Sequence, residues 1–344
     1  MTAKPLYLDH AATTPLLPEA RVALLDGFAR WANPSSPHAH GRAARAALED
    51  ARDRIKAALG WTGELIFTSG ASEALALAIS RCAKPLGAVS AAEHEAVLRL
   101  VGQAPHWPVA PGSGLVEGVG EGVEGLVGIQ HVNNETGVIQ PLDRLAGEVR
   151  AAGGWLLADC AQSAGKLVLP DADMIAISAH KFGGPIGTGA LLVRDWAMLR
   201  PTGGQERGYR AGTENLPGAL AMAAALEAGS GWLADAIKLR GQLEARLAEA
   251  GAGIVAAETH RLATIGAYRM PGRAAQAQLI RLDGMGIAVP AGSACSSGSL
   301  KSSHVLTAMQ QDGAGEVIRV SLGRETTADD IDRFVAAWKE VAAR

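Results

Sequence analysis

The stretch Asp173-Met-Ile-Ala-Ile-Ser-Ala-His-Lys-Phe-Gly-Gly-Pro185 decides how the rest of this chain is read. Residues 174–177 form a short apolar run with the length and composition of a buried parallel strand. Ser178, His180 and Lys181 follow it, and Gly183, Gly184 and Pro185 make the turn. A lysine at the carboxyl end of such a strand faces the crevice in which α/β sheets bind ligands. Partial desolvation there lowers its amine pKa and lets it form a Schiff base with a carbonyl. An isolated lysine after a strand is most often solvated. Ser178 and His180, both able to donate to a phosphate, argue for the other reading.

Asp159 closes the earlier run Trp155-Leu-Leu-Ala-Asp159, 22 positions before Lys181. One strand–helix–strand step brings the two strand ends together, and a carboxylate there can keep a pyridine nitrogen protonated. Taken alone, Asp159 is more often a turn or helix-cap residue. Gln162 lies just beyond the same strand. Ser69-Gly70-Ala71-Ser72 stands between a strand (64–67) and a helix, where free backbone N–H groups and the helix dipole attract an anion. Any serine-rich helix start has this look. His94, within Ala92-Glu-His-Glu-Ala96, offers a flat ring for stacking or proton transfer; a lone histidine is more often a hydrogen-bonded or surface residue.

Apolar runs at 126–129, 155–158, 174–177 and 190–193 are each bounded by Gly, Pro, Asp or His. They alternate with helical patterns such as 37–59, which predicts an α/β sheet. After Gly218 an Ala/Leu-rich helical stretch runs to about residue 249 and leads into a second part. There 254–257, 264–270 and 317–322 read as strands of a smaller sheet, and 329–343 as the closing helix. The Gly-rich piece 111–128 reads as an irregular surface connection. For 344 residues, two domains sharing one cleft is the natural expectation.

Thirty-two basic against 35 acidic residues give a net charge of −3 with no long run of either sign, which argues against nucleic acid and anionic membrane as partners. Cys82, Cys160 and Cys295 are too widely spaced for a disulfide framework or a metal site. No metal is expected, and a reducing, cytoplasmic setting is. No run of about 20 apolar residues offers a membrane span, and the first residues lack the apolar core of a signal peptide.

Further segments complete a set: Tyr7-Leu-Asp-His-Ala-Ala-Thr-Thr-Pro15, Asn33-Pro-Ser-Ser36, Phe67-Thr-Ser-Gly-Ala-Ser-Glu73 and Val132-Asn-Asn-Glu-Thr-Gly137. Ala158-Asp-Cys-Ala-Gln162, Ser178-Ala-His-Lys181, Gly203-Gly-Gln-Glu-Arg-Gly208 and Arg210-Ala-Gly-Thr-Glu-Asn215 follow. Gly292-Ser-Ala-Cys-Ser-Ser-Gly298 and Ile318-Arg-Val-Ser-Leu-Gly-Arg324 close it. In order and over nearly the whole chain, this set resembles the NifS/IscS-type cysteine desulfurases, in the class V aminotransferase-like branch of fold-type-I pyridoxal-phosphate (PLP) enzymes. The resemblance implies an α/β fold with a large, mostly parallel seven-stranded sheet domain (15–252). A small α+β domain (1–14 and 253–344) would carry the catalytic cysteine loop.

It also assigns roles by position. Lys181 would carry PLP, Asp159 would pair with the pyridine nitrogen, and His94 would stack on the ring and move protons. Asn134 and Gln162 would approach the ring oxygen, while Ala71, Ser72, Ser178 and His180 would hold the phosphate. Thr213 would reach the phosphate of the neighbouring subunit, implying a homodimer with shared sites. Arg319, with Asn134 beside it, would hold the substrate carboxylate through its planar donors. Cys295, in a Gly/Ser-rich segment, would be the nucleophile that separates sulfur transfer from transamination. The implied reaction takes sulfur from L-cysteine, leaving L-alanine and a persulfide on Cys295. Acceptors for iron–sulfur cluster assembly or thiolation would take that sulfur, a protein scaffold among them.

The stretch 103–127 is compressed relative to the family, and Ser72 stands where many relatives carry Thr. Rival readings are a selenocysteine lyase or another PLP enzyme of aminotransferase type, which would keep turnover without Cys295. A non-catalytic binding or scaffold member, the remaining rival, would not take up PLP.

Overall fold

A computed structural model describes residues 5–118, 123–291 and 303–343. Its strands are β1 Leu6–Tyr7, β2 Glu64–Thr68, β3 Leu86–Ser90, β4 His106–Trp107, β5 Leu126–Gln130, β6 Trp155–Asp159, β7 Met174–Ser178, β8 Gly189–Val193, β9 Gly253–Ile254, β10 Ile265–Arg269, β11 Ile287–Ala288 and β12 Val317–Ser321. Seven form one sheet in the order β2-β8-β7-β6-β5-β3-β4. Within it β8 runs antiparallel to both neighbours, and the remaining pairs are parallel.

Every residue of β5, β7 and β8 is buried. Burial on both faces follows from the alternation of side chains along a strand. Ile175 and Ile177 of β7 join the apolar cluster on one face, whereas Met174 and Ala176 join the cluster on the other. The helix Leu142–Ala151 shows how a covering layer is made: Leu142, Leu145, Ala146 and Val149 recur at helical spacing and are all buried. Burying a side chain such as Leu145 or Val149 stabilises the fold by roughly 1.5–3 kcal/mol.

The second sheet is β12-β10-β9, antiparallel throughout. Its apolar face and the helices Leu233–Glu249, Ala275–Gly284 and Ala328–Ala343 share a separate cluster around Phe334 and Trp338. The short pair β1–β11 is parallel. Past β1, Ser321 Oγ accepts from the Ala11 N–H at 2.9 Å, and the Ser321 N–H donates to the Leu8 carbonyl at 2.8 Å. The segment 8–12 is therefore stitched to β12 and lies between the two sheets.

The carboxyl ends of β2, β5, β6 and β7 lie at one edge of the large sheet, where α/β folds place ligands. Among the described residues no helix is long and apolar enough to cross a membrane.

Candidate active site

At that edge a cavity of about 440 Å³ opens, a volume in the range of small-molecule sites. Ala71, Ser72, His94, Asn134, Asp159, Gln162, Ser178, His180, Lys181 and Arg319 all line it. Ten positions chosen from sequence thus share one wall. Thr213 does not line it and is exposed. Cys295 lies outside the described residues. On either side of 292–302, Ala291 bridges to Ile318 next to Arg319, and Ser303 Oγ donates to Glu135 Oε2 at 2.5 Å, next to Asn134.

Lys181 sits in a short 3₁₀ turn directly after β7. Its Nζ donates to the carbonyls of Ala11 and Ala12, at 2.6 and 2.9 Å. Asp159 ends β6, paired in register with Gln130 and Ala176. Burial raises its carboxyl pKa; the Ala161 N–H (2.9 Å from Oδ1) and the charges of His94 and Lys181 oppose that rise.

His94 caps the helix Glu95–Leu98, its Nδ1 accepting from the Ala96 N–H at 3.1 Å. That bond assigns the proton of the neutral ring to Nε2. Burial lowers the His94 pKa, and Asp159 pulls the other way. His180 is pushed down to about 4 by burial and by the charges of Lys181 and Lys166, so its ring is neutral at physiological pH. Its Nδ1 lies 3.2 Å from Thr13 Oγ1.

The anion turn depends on Gly70, whose φ of 155° and ψ of 180° fall in a region essentially reserved for glycine. The helix Ala71–Arg81 then starts with Ala71 and Ser72 at its first two positions, where backbone N–H groups have no intrahelical acceptor. Arg319 is 2% exposed. It donates to the Asn134 carbonyl at 2.8 Å and to Asp9 Oδ1 at 2.7 Å, and its buried Nε has no partner among the described residues.

These residues fit PLP. Gln162 donates from Nε2 to the Ala11 carbonyl at 2.9 Å and leaves a buried Oε1 without a partner among the described residues, as a polar group awaiting a ligand would. An amine, a buried carboxylate and a glycine-dependent anion turn are the groups that an aldehyde, a pyridinium and a phosphate require. Lys181, Asp159, Gln162 and the Ala71–Ser72 turn with Ser178 and His180 would hold it.

Sequence reasoning did not single out Asp9, Glu93, Glu135 or Lys166. Asp9 lies inside a motif already quoted, but its pairing with Arg319 spans 310 positions. Glu93 is fully buried with its pKa well raised by burial, and it accepts from the Gln130 N–H at 2.7 Å. Lys166 donates to the Gln162 carbonyl at 3.1 Å, and burial together with Lys181 brings its pKa down to about 7. No local pattern marks a charged residue that becomes buried only through tertiary packing.

The model of the aminotransferase class-V family matches residues 6–106 and 119–334. A cysteine desulfurase of Bradyrhizobium diazoefficiens is 37% identical over 99% of this chain and 95% of its own length. A cysteine desulfurase of Cereibacter sphaeroides is 36% identical over 96% and 94%. Among solved structures, a NifS-like protein superposes with a TM-score of 0.90 at 28% identity, covering 98% of this chain and 99% of that one. With the family model covering most of the chain and these relatives matching it end to end, the chain belongs to the class-V aminotransferase family of PLP-dependent enzymes.

Proposed function

We propose that this protein is a cysteine desulfurase that moves sulfur from L-cysteine to Cys295 and releases L-alanine. The observation that carries the reading is one cavity wall holding Lys181, Asp159, His94 and Arg319 together. Bound PLP supplies an electron sink for the substrate carbon that loses its proton.

The chain's own residues do the rest. Arg319, fixed by Asp9 and the Asn134 carbonyl, orients the substrate carboxylate. The Lys181 amine takes the proton from the substrate α-carbon. Asp159 holds the positive charge on the ring side of the site. His94, with Nδ1 turned to the Ala96 N–H and its proton on Nε2, presents a donor to the departing organic fragment. The Cys295 thiolate attacks the substrate sulfur; the carbon–sulfur bond breaks, its electron pair stays with the carbon fragment, and protonation completes alanine.

The burial of Cys82 and Cys160, which raises both thiol pKa values, supports the motif-based choice of Cys295 for this role. Two buried free thiols also suit a reducing cytoplasm. We assign 15–252 to the cofactor-binding domain and 1–14 with 253–344 to the domain carrying Cys295. Thr213, exposed and off its own cavity, would complete the site of a second subunit in a homodimer. A protein acceptor such as an iron–sulfur scaffold would then take the sulfur.

The test is the visible spectrum of the purified protein before and after L-cysteine, with alanine and sulfide assayed in the presence of a thiol reductant. A cofactor band that changes with cysteine, and alanine and sulfide appearing in equal amounts, are the expected result. The Cys295→Ala variant should keep the band and lose sulfide. Sulfide release unchanged in that variant would remove Cys295 from the reaction.

A further inference from the structure

Glu73 and Arg210 join two parts of the chain that the shared-site reading assigns to different active sites. Glu73 belongs to the anion turn. Its Oε2 accepts from the Ser69 N–H at 2.5 Å, and its Oε1 accepts from Arg210 Nε at 2.9 Å. Burial raises its carboxyl pKa, but Ser69 and Arg210 outweigh that and leave it ionised. Arg210 belongs to the segment 203–213 that ends at Thr213.

That segment is held in an unfavourable backbone conformation. Glu206 and Arg207 have φ of 48° and 56°, and Gly203, Gly204, Gly208 and Gly212 are also positive. Non-glycine residues there are strained and persist only when their surroundings fix them. Here they are fixed twice. The buried Glu206 takes Arg52 at 2.9 and 3.1 Å and the Phe67 N–H of β2 at 2.8 Å. Beyond it the tie is Arg210, which grips Glu73 and also lies 3.5 Å from the Gly212 carbonyl through Nη1. Gly212, with φ 94°, is the last residue before Thr213.

We propose that Arg210, clamped by Glu73, is a positioning residue for Thr213, and so acts on the cofactor of the partner subunit rather than on that of its own chain. The inference rests on the shared-site reading. It places the effect of losing Arg210 on the partner's site and not on its own. Within its own chain Arg210 meets the anion turn only through Glu73, whose bond to the Ser69 N–H does not involve Arg210. Across the dimer the loss of Arg210, or of its clamp on Glu73, frees Thr213.

Mixed dimers isolated with two different tags test this. One chain carries Lys181→Ala, so that only the other chain's site gives the absorbance of lysine-bound PLP. With Glu73→Gln on the Lys181→Ala chain, the PLP concentration for half-saturation of the reporting site should rise about fivefold. With Arg210→Gln on the reporting chain, it should stay the same. Arg210→Gln on the Lys181→Ala chain should reproduce the first result, and sedimentation checks that all species remain dimers. A loss seen only when Arg210→Gln shares the reporting chain, or no change in either arrangement, overturns the proposal. Thr213→Val separates the two levels. If it has no effect across the dimer, the shared-site reading falls and the inference with it. If it acts across the dimer while Glu73→Gln and Arg210→Gln do not, the inference alone falls.

Discussion

Arg319 is an almost completely buried cation whose charge is matched by Asp9 and whose fork is oriented by the Asn134 carbonyl. A lysine could keep the charge but not two oriented donors and a third edge for a substrate carboxylate. Arg319→Lys should raise KM for cysteine by about 10–100-fold, the worth of one or two charge-assisted hydrogen bonds, with a smaller change in kcat. Steady-state alanine formation measures it, and an unchanged KM would place the substrate carboxylate elsewhere. This residue was legible because it stands in a motif. Its partner Asp9 was not, because the pairing is set by how the segment 8–12 lies against β12.

Glu135 makes a pH prediction. Burial lifts its pKa to about 7, with the Ser303 hydroxyl and Arg319 working against that rise. An unfolded glutamate titrates near ~4.3. Between these values the folded protein holds a proton that the unfolded chain has lost, so stability falls as pH rises through the window and levels off above about 7. The loss is on the order of 4 kcal/mol at one pKa unit per 1.36 kcal/mol. Glu135→Gln should flatten this slope: its melting temperature should match the parent near pH 4.5 and exceed it at pH 8. Parallel melting curves for the two proteins across that range would show that Glu135 is not the group responsible.

At the level of elements, one demanding contact is where β8 meets the anion turn. A Cβ on Gly189 would lie 2.5 Å from the Ile177 carbonyl oxygen and 2.6 Å from Gly70 Cα, both backbone atoms that cannot step aside. Gly189→Ala should therefore destabilise the fold by roughly 1–3 kcal/mol and also weaken PLP binding, because the displaced residue is Gly70 itself. Denaturant unfolding and PLP titration read the two effects; a variant with lost stability and intact affinity would uncouple the turn from the strand. Elements like β5 to β8 were readable because burial on both faces leaves nearly continuous apolar runs. β3, Leu-Gly-Ala-Val-Ser, was not, since small residues and a glycine give no such signal. The helical stretch expected from 218 to 249 is two helices, Leu216–Glu227 and Leu233–Glu249, parted at Gly229-Ser230-Gly231. The strand expected at 254–257 shrinks to Gly253–Ile254, because Ala256 turns to φ 50° and leaves the extended region.

At the scale of the whole molecule, one chain supplies every expected site residue among those described except Thr213, and this is the argument for a second subunit. The surface offers a place for it. On and just after the helix Pro18–Ala29, Val22, Leu25, Phe28 and Trp31 are 68%, 60%, 63% and 78% exposed. Single exposed apolar residues are ordinary, but Val22, Leu25 and Phe28 on successive turns of one helix make it the candidate for an interface. Leu16 is partly exposed just before the helix, and Ile186, which borders the cavity, is 78% exposed. If this face is buried between subunits, Phe28→Glu places a charge in an apolar contact and should shift the protein from dimer to monomer at micromolar concentration. Because the monomer lacks the neighbouring Thr213, the same variant should lose PLP faster on dialysis while its far-ultraviolet circular dichroism stays that of the parent. A Phe28→Glu protein that still sediments as a dimer and retains its cofactor would move the interface to another face. A parent protein that sediments as a monomer and still holds PLP would remove the need for a second subunit altogether.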